Sequence, residues 1–241
     1  MESMISFQKD LEQLGIYLNE MQMKQFMRYY ELLSEWNSFM NLTAITEFDE
    51  VLKKHFVDSV SLIKAVPNLS CESFSVIDVG TGAGFPGIPL KIAFPNLEIT
   101  LLDSLNKRVQ FLNEVIKDLN LEHIITIHGR AEDFAKPGKL RESFDICVSR
   151  AVANLATLSE YCLPFVKQNG YFISYKSEKI ADEFNQAKGA LRILGGKYES
   201  QVEFQLPNSD IYRNLFIIKK EKITPLKYPR KAGLPSKEPL E

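Results

Sequence analysis

A chain of 241 residues, 45% hydrophobic and 25% charged, has the make-up of a folded, water-soluble protein and excludes a disordered or fibrous one; it is long for one ordinary domain and short for two. A net charge of −2 marks no general polyanion binder, and the three cysteines Cys71, Cys147 and Cys162 are odd in number and match no metal-ligand spacing, as in a reducing compartment. No window is long and apolar enough to span a membrane and the first residues lack a leader pattern, so a cytoplasmic protein with one α/β core and an appendage is expected.

Residues 1 to about 70 read as helices. Phe26, Tyr29, Tyr30, Leu33, Trp36 and Met40 recur at three- and four-residue steps, an amphipathic stripe that packs on a core. Thr46-x-x-Asp49 predicts a capping box opening a further helix through Val51, Phe56, Val60 and Ile63, which Pro67 ends. On that helix His55 and Asp58 stand three residues apart, so their side chains can meet.

From Phe74 strands and helices alternate: strand 74–79, helix 87–94, strand 98–102, helix 105–119, strand 124–128, strand 144–149, helix 154–166, strand 170–176 and helix 178–193. That succession predicts a parallel sheet flanked by helices. The end differs: Gly195-Gly196 breaks the last helix, Val202, Phe204 and Leu206 alternate, and the turn Pro207-Asn-Ser-Asp210 leads into Leu215-Phe-Ile-Ile218, an antiparallel hairpin. From Lys219 onward seven basic residues stand against three acids, a basic edge on an otherwise acidic chain that could grip phosphates. The expected division is a helical extension over 1–70, a core over 71–220 and a basic tail over 221–241.

The first strand runs into Asp78-Val-Gly80-Thr-Gly82-Ala-Gly84-Phe-Pro-Gly87, and the second ends on Asp103. Gly82-x-Gly84-x-x-Gly87, with Asp103 lying 21 residues beyond Gly82, fits a dinucleotide site, so a NAD-dependent oxidoreductase is one reading. Framed from Asp78 the loop favours another. A carboxylate at the mouth of the turn repels a pyrophosphate and attracts cations, which suits S-adenosylmethionine: it has no phosphate, it carries a sulfonium and an ammonium, and Asp103 can accept its ribose hydroxyls. A protein that binds an adenosine cofactor without catalysis, as a regulator, is a third reading.

Ligands of such sheets sit outside the carboxyl ends of the strands, so Asp78 to Phe85, Asp103-Ser104, Gly129 to Asp133, Ser149-Arg150-Ala151 and Lys176-Ser177 are the residues to follow. After the fourth strand, where methyltransferases act on substrate, Ser149-Arg150-Ala151-Val152 offers neither an Asn-Pro-Pro-aromatic segment nor a Pro-Cys nucleophile. Both absences suit a ring-nitrogen acceptor such as N7 of guanine, which has no proton to lose and needs only positioning and electrostatics.

Trp36-Asn37-x-x-Met40-Asn41-Leu42-Thr43-Ala44-Ile45, His55-x-x-Asp58-Ser59, the loop from Asp78 through Leu90, Leu102-Asp-Ser104 with Lys107-Arg108, Arg130-Ala-Glu132, Ser149-Arg150-Ala151 and Tyr228-Pro-Arg-Lys-Ala-Gly-x-Pro-x-Lys-x-Pro-Leu240 together resemble the bacterial small-subunit ribosomal RNA methyltransferase G family, also called glucose-inhibited division protein B. The resemblance runs from about residue 30 to the end. It implies an α/β, class I (Rossmann-like) methyltransferase: a mostly parallel seven-stranded sheet with a C-terminal antiparallel hairpin and an N-terminal helical extension. It also implies methyl transfer from S-adenosylmethionine to N7 of one guanosine in the helix 18 hairpin of 16S rRNA, with no metal. The cofactor contacts it implies are Gly80, Phe85, Ala131, Glu132 and Arg150, with Asp103 and Ser104 beside them and Asp78, Gly82 and Gly84 in the loop. From their chemistry Lys107, Arg108, Lys176, Arg230 and Lys231 are expected to face RNA phosphates, and Asn41, His55 and Asp58 to line the acceptor side. Arg150 is the one candidate for a part in catalysis. The expected partner is 16S rRNA or a small-subunit assembly particle, the expected state a monomer.

Overall fold

The computed structural model describes residues 2–150, 153–178 and 180–240. Its strands are β1 Ser75–Val79, β2 Glu98–Asp103, β3 Ile124–His128, β4 Phe144–Arg150, β5 Val166–Lys176, β6 Gly196–Gln205 and β7 Tyr212–Lys220. They form one sheet in the order β3-β2-β1-β4-β5-β7-β6. The first five run parallel; β7 enters antiparallel between β5 and β6. The order reverses between β1 and β4, so the crevice at their carboxyl ends is where a ligand belongs.

Two elements differ from the sequence-based expectation. The helix expected over 154–166 stops at Cys162, and a 3-10 turn over Leu163–Phe165 follows, because Pro164 brings no amide to an α-helical ladder. The hairpin strands are longer than their apolar runs: β6 alternates half-buried and exposed residues along an edge, so its polar half hides it from a search for hydrophobic runs.

The N-terminal helices Glu2–Gln13 and Glu20–Met40 and the helical segment 48–64 pack against the sheet through a chain of aromatics. Phe7, Phe26, Phe56, Tyr29 and Phe85 follow one another with ring centroids 5.1–5.5 Å apart, apart from Phe7–Phe56 at 6.2 Å and Phe56–Phe85 at 6.1 Å. Full burial of such a side chain contributes about 1.5–3 kcal/mol, and the chain ends on Phe85, in the glycine loop. The expected stripe is present, with Phe26, Tyr29 and Leu33 buried and Tyr30, Trp36 and Met40 at its margin.

The expected capping box at Thr46 does not form. Glu47 is the cap of Phe48–Val51 and makes no side-chain bond there, while a capping box that the sequence reading passed over joins Asn19 and Gln22 at 2.9 Å in both directions. Leu52–Val57 is a π-helical turn inside the segment 48–64, and it carries His55. Such turns are frequent at functional sites.

Candidate active site

The loop after β1 is braced from below. Asp78 is fully buried; its Oδ2 accepts the Thr81 hydroxyl at 2.6 Å and the Gly87 amide at 2.9 Å, its Oδ1 has no partner, and burial pushes its carboxyl up to about 6. Asp78 thus lies beneath the loop rather than at its mouth. Asp103 ties the loop to β2, accepting the amides of Gly82 and Leu105 at 2.9 Å each. A side chain at Gly82 would meet open space, whereas one at Gly84 would meet Ile88 at 2.6 Å and the Tyr29 hydroxyl at 2.7 Å, with φ at +100°. Gly84 therefore packs closely against Ile88 and the N-terminal helix, which leaves no room for a side chain there. Tyr29 donates its hydroxyl to the Ala83 carbonyl from the same side.

Beyond β1, β2 and β3 lies a cavity of about 250 Å³, lined by Gly80, Asp103, Ser104, Ala131 and Glu132 as expected, and also by Tyr161 and Ser236. Glu132 is buried, and one carboxylate oxygen, Oε1, accepts the Gly233 amide at 2.8 Å. The amides and carboxylates of this cavity suit a neutral, hydroxyl- and amino-bearing group.

A second cavity, about 390 Å³, opens beyond β4, β5 and β7, lined by Ile45, His55, Asp58, Arg150, Tyr175, Lys176 and Arg213. Arg150 is its hub. Its Nη1 donates to Asp58 Oδ2 at 2.8 Å and to the Lys54 carbonyl at 3.1 Å, and its Nη2 donates to His55 Nδ1 at 3.1 Å. Since arginine only donates, His55 Nδ1 must be unprotonated, so Nε2 carries the hydrogen and donates to Thr43 Oγ1 at 2.8 Å. Burial, and then the Arg150 charge, push His55 down to about 3, so it is neutral and has no free lone pair. The His55 ring stacks on Phe85 at 4.4 Å, and the Arg150 guanidinium sits 5.1 Å from the centre of the same ring.

Asp58 is shared. Its second oxygen accepts Arg213 Nε at 2.7 Å, so one buried carboxylate faces two arginines and the cluster keeps one positive charge. Among the described residues these three bonds leave the Nε–H and one Nη2–H of Arg150 without a partner, able to meet an anion.

The remaining expected residues divide. Lys107 and Lys231 are exposed, and Arg108 is about one-third exposed with Nη1 3.4 Å from Asp103. Asn41 ends Glu20–Met40 in the left-handed region, φ 50°, and is exposed rather than on either cavity wall. Lys176 borders the second cavity but is paired with Glu183 at 2.6 Å. Arg230 does not present its charge to an RNA: its guanidinium forks onto the fully buried Glu160 at 2.7–3.1 Å, a correction to the expected phosphate contact. Ala151 and Val152 lie outside the described residues. Thr43, Tyr175 and Arg213 are site residues beyond those expected from the sequence, although an arginine just before the apolar run Leu215–Ile218 of β7 is a visible signal.

A parallel sheet finished by an antiparallel hairpin, with both cavities at its carboxyl edge, defines a class I methyltransferase fold. Solved structures share it: "M. jannaschii TYW2 in complex with AdoMet" is similar with a TM-score of 0.53 over 69% of this chain and 77% of that one at 19% identity, and a SAM-dependent methyltransferase from Aquifex aeolicus with 0.52 over 75% and 97% at 16%. The family model described as rRNA small subunit methyltransferase G matches residues 22–212. Ribosomal RNA small subunit methyltransferase G of Lachnoclostridium phytofermentans is 57% identical over 98% of this chain and 96% of its own, and that of Alkaliphilus metalliredigens 51% identical over the whole of both. The chain belongs to the rRNA small subunit methyltransferase G family.

Proposed function

We propose that the chain transfers the methyl group of S-adenosylmethionine to N7 of a guanosine in the helix 18 hairpin of 16S rRNA. One observation carries the choice of cofactor: the Gly87 amide, which in a dinucleotide site would meet the pyrophosphate at the start of the helix, is already bound by Asp78. A phosphate there would find that amide already taken and would approach the Asp103 carboxylate. An adenosine fits instead. Its ribose hydroxyls would find acceptors on Asp103 and its amino edge an acceptor on Glu132, while the two N–H groups of Arg150 that have no partner among the described residues would fit an amino-acid carboxylate.

When bound, S-adenosylmethionine supplies an electrophilic methyl group on a cationic sulfur. The protein's part is to place it. Asp103, Glu132 and Arg150 would hold the two ends of the cofactor, and Phe85, packed against both His55 and Arg150, fixes the loop beside them. Neutral His55, with both ring nitrogens engaged, accepts no proton, and guanine N7 has none to give. The cavity beyond β4, β5 and β7 is then the side from which a base extracted from its stack approaches. Exposed Lys107 and Lys231 are the phosphate contacts we assign, with Arg108 at the rim.

In this reading residues 1–70 are the extension that supplies His55 and Asp58, residues 71–220 the methyltransferase core and residues 221–241 the basic tail. The protein acts as a cytoplasmic monomer on 16S rRNA or an assembling small subunit. No helix among the described residues is long and apolar enough to cross a membrane. The test is label transfer from methyl-labelled S-adenosylmethionine to naked RNA, assembly particles and mature subunits, with cleavage mapping of N7-methylguanine. We expect one labelled guanine in at least one of these substrates. Label on another atom, or on none of them, overturns the proposal.

A further inference from the structure

The last segment of the chain, basic enough to read as a free RNA-binding tail, is fastened to the body by four residues, Arg141, Glu160, Glu132 and Thr157. Arg141 donates to the Tyr228 carbonyl at 2.8 Å, and the Tyr228 ring is buried. Glu160 accepts both the Arg230 amide, at 2.8 Å, and the Arg230 guanidinium. Glu132 accepts the Gly233 amide, Thr157 donates to the Pro235 carbonyl at 3.1 Å, and Arg230 Nη2 closes the segment on itself at the Glu238 carbonyl, 2.7 Å away. Ser236 is thereby set into the wall of the cavity that holds Asp103 and Glu132.

Glu160 is the informative residue. It sits at zero exposure on the helix Leu155–Cys162, and Arg230 supplies every hydrogen bond it accepts among the described residues. An ion pair in such a place adds little net stability over an apolar pair of the same volume, but it fixes one geometry. Three residues on from Arg230, the Gly233 amide donates to one oxygen of Glu132, a residue of the cavity wall.

We infer that residues 228–240 are the outer wall of the adenosine cavity, and that Arg230 and Glu160 are positioning residues that set the affinity for the adenosine half of the cofactor through Gly233, Glu132 and Ser236. The inference rests on the S-adenosylmethionine reading of that cavity. It assigns Arg230 to the methyl donor, and it leaves Lys231 free for the RNA.

The experiment is calorimetry of S-adenosylhomocysteine and of adenosine with full-length wild type, Glu160→Gln and the double variant Glu160→Leu/Arg230→Met, together with cofactor KM and kcat. The double variant removes the latch without leaving a buried charge unpaired, so it keeps the fold. We expect both ligands to weaken by the same factor, about tenfold, the size of one hydrogen bond to a charged group. KM for the cofactor should rise with kcat at saturation unchanged. Ser236→Trp, which fills the cavity from its wall, should abolish binding of both. A double variant that melts earlier yet binds both ligands as the wild type does would overturn the inference, as would a loss confined to S-adenosylhomocysteine. Wild type that binds neither ligand would instead overturn the cofactor reading, and this inference with it.

Discussion

The cavity beyond β1, β2 and β3 carries the carboxylates of Asp103 and Glu132 with Arg130 as its one cation among the described residues, whereas the one beyond β4, β5 and β7 gathers Lys54, Arg150, Lys176 and Arg213 about Asp58 and Glu178. Acceptors weigh more in the first and cationic donors in the second. A ligand that spans the two must offer hydroxyl and amino groups at one end and an anion at the other. Adenosine joined to an amino acid has that polarity, and a dinucleotide, whose anionic part lies in its middle, does not.

The largest effect should come from breaking the second cavity. Asp58→Ala leaves two arginines without their shared partner, and denaturant unfolding should show a loss of about 3–5 kcal/mol, as for other broken buried pairs. Adding Arg213→Met should recover part of it, since the two side chains interact directly. On the other side Asp103→Ala should weaken S-adenosylhomocysteine and adenosine alike, each by about 1.5–3 kcal/mol, because both ligands carry the ribose. Calorimetry reads this directly, and unequal losses would move the ribose elsewhere.

The pH dependence tests the chemistry between the two cavities. With His55 neutral and no free base, kcat should stay flat from about pH 7 to 9; it should fall below about pH 6 as Asp78, raised to about 6, takes a proton. A rate that climbs through pH 7–9 would mean that a base is at work. Stability has its own signature. The depressed His55 value contributes stability that is present above the usual histidine pKa of 6.5 and lost as pH falls toward about 3. Wild type should therefore lose more stability than His55→Gln between about pH 6.5 and 4, measured by denaturant titration. Asp78, raised rather than lowered, works in the opposite sense, losing its contribution as pH rises from 3.8 through about 6, and it does so equally in both proteins. The smallest effect belongs to the rim: Lys107→Ala should lower the slope of RNA affinity against salt by about one while leaving cofactor binding unchanged.

Much of this was legible in the residues. The alternation of strands and helices, the acid that ends β2 and the glycine loop are local patterns, and they placed Gly80, Asp103, Ser104, Ala131 and Glu132 on one cavity wall. The periodicity of the helix before the sheet put His55 and Asp58 on neighbouring turns, although they meet through Arg150 rather than directly. What the pattern could not carry was tertiary pairing. Arg230 reads as a basic-tail residue until the sheet brings buried Glu160 to it across seventy positions. Gly84 reads as one of three equivalent glycines until Tyr29 arrives from the N-terminal helix. Asp78 reads as a charge at the mouth of the loop until burial turns that side chain into the brace of Thr81 and Gly87.

The division of labour between the two cavities comes down to Arg150. Calorimetry of Arg150→Met with S-adenosylhomocysteine and with adenosine should show the first weakened by at least about 2 kcal/mol, the scale of a lost buried charge partner, and the second unchanged. An equal loss for both ligands, or none for S-adenosylhomocysteine, would contradict a cofactor held by its carboxylate at the end of β4.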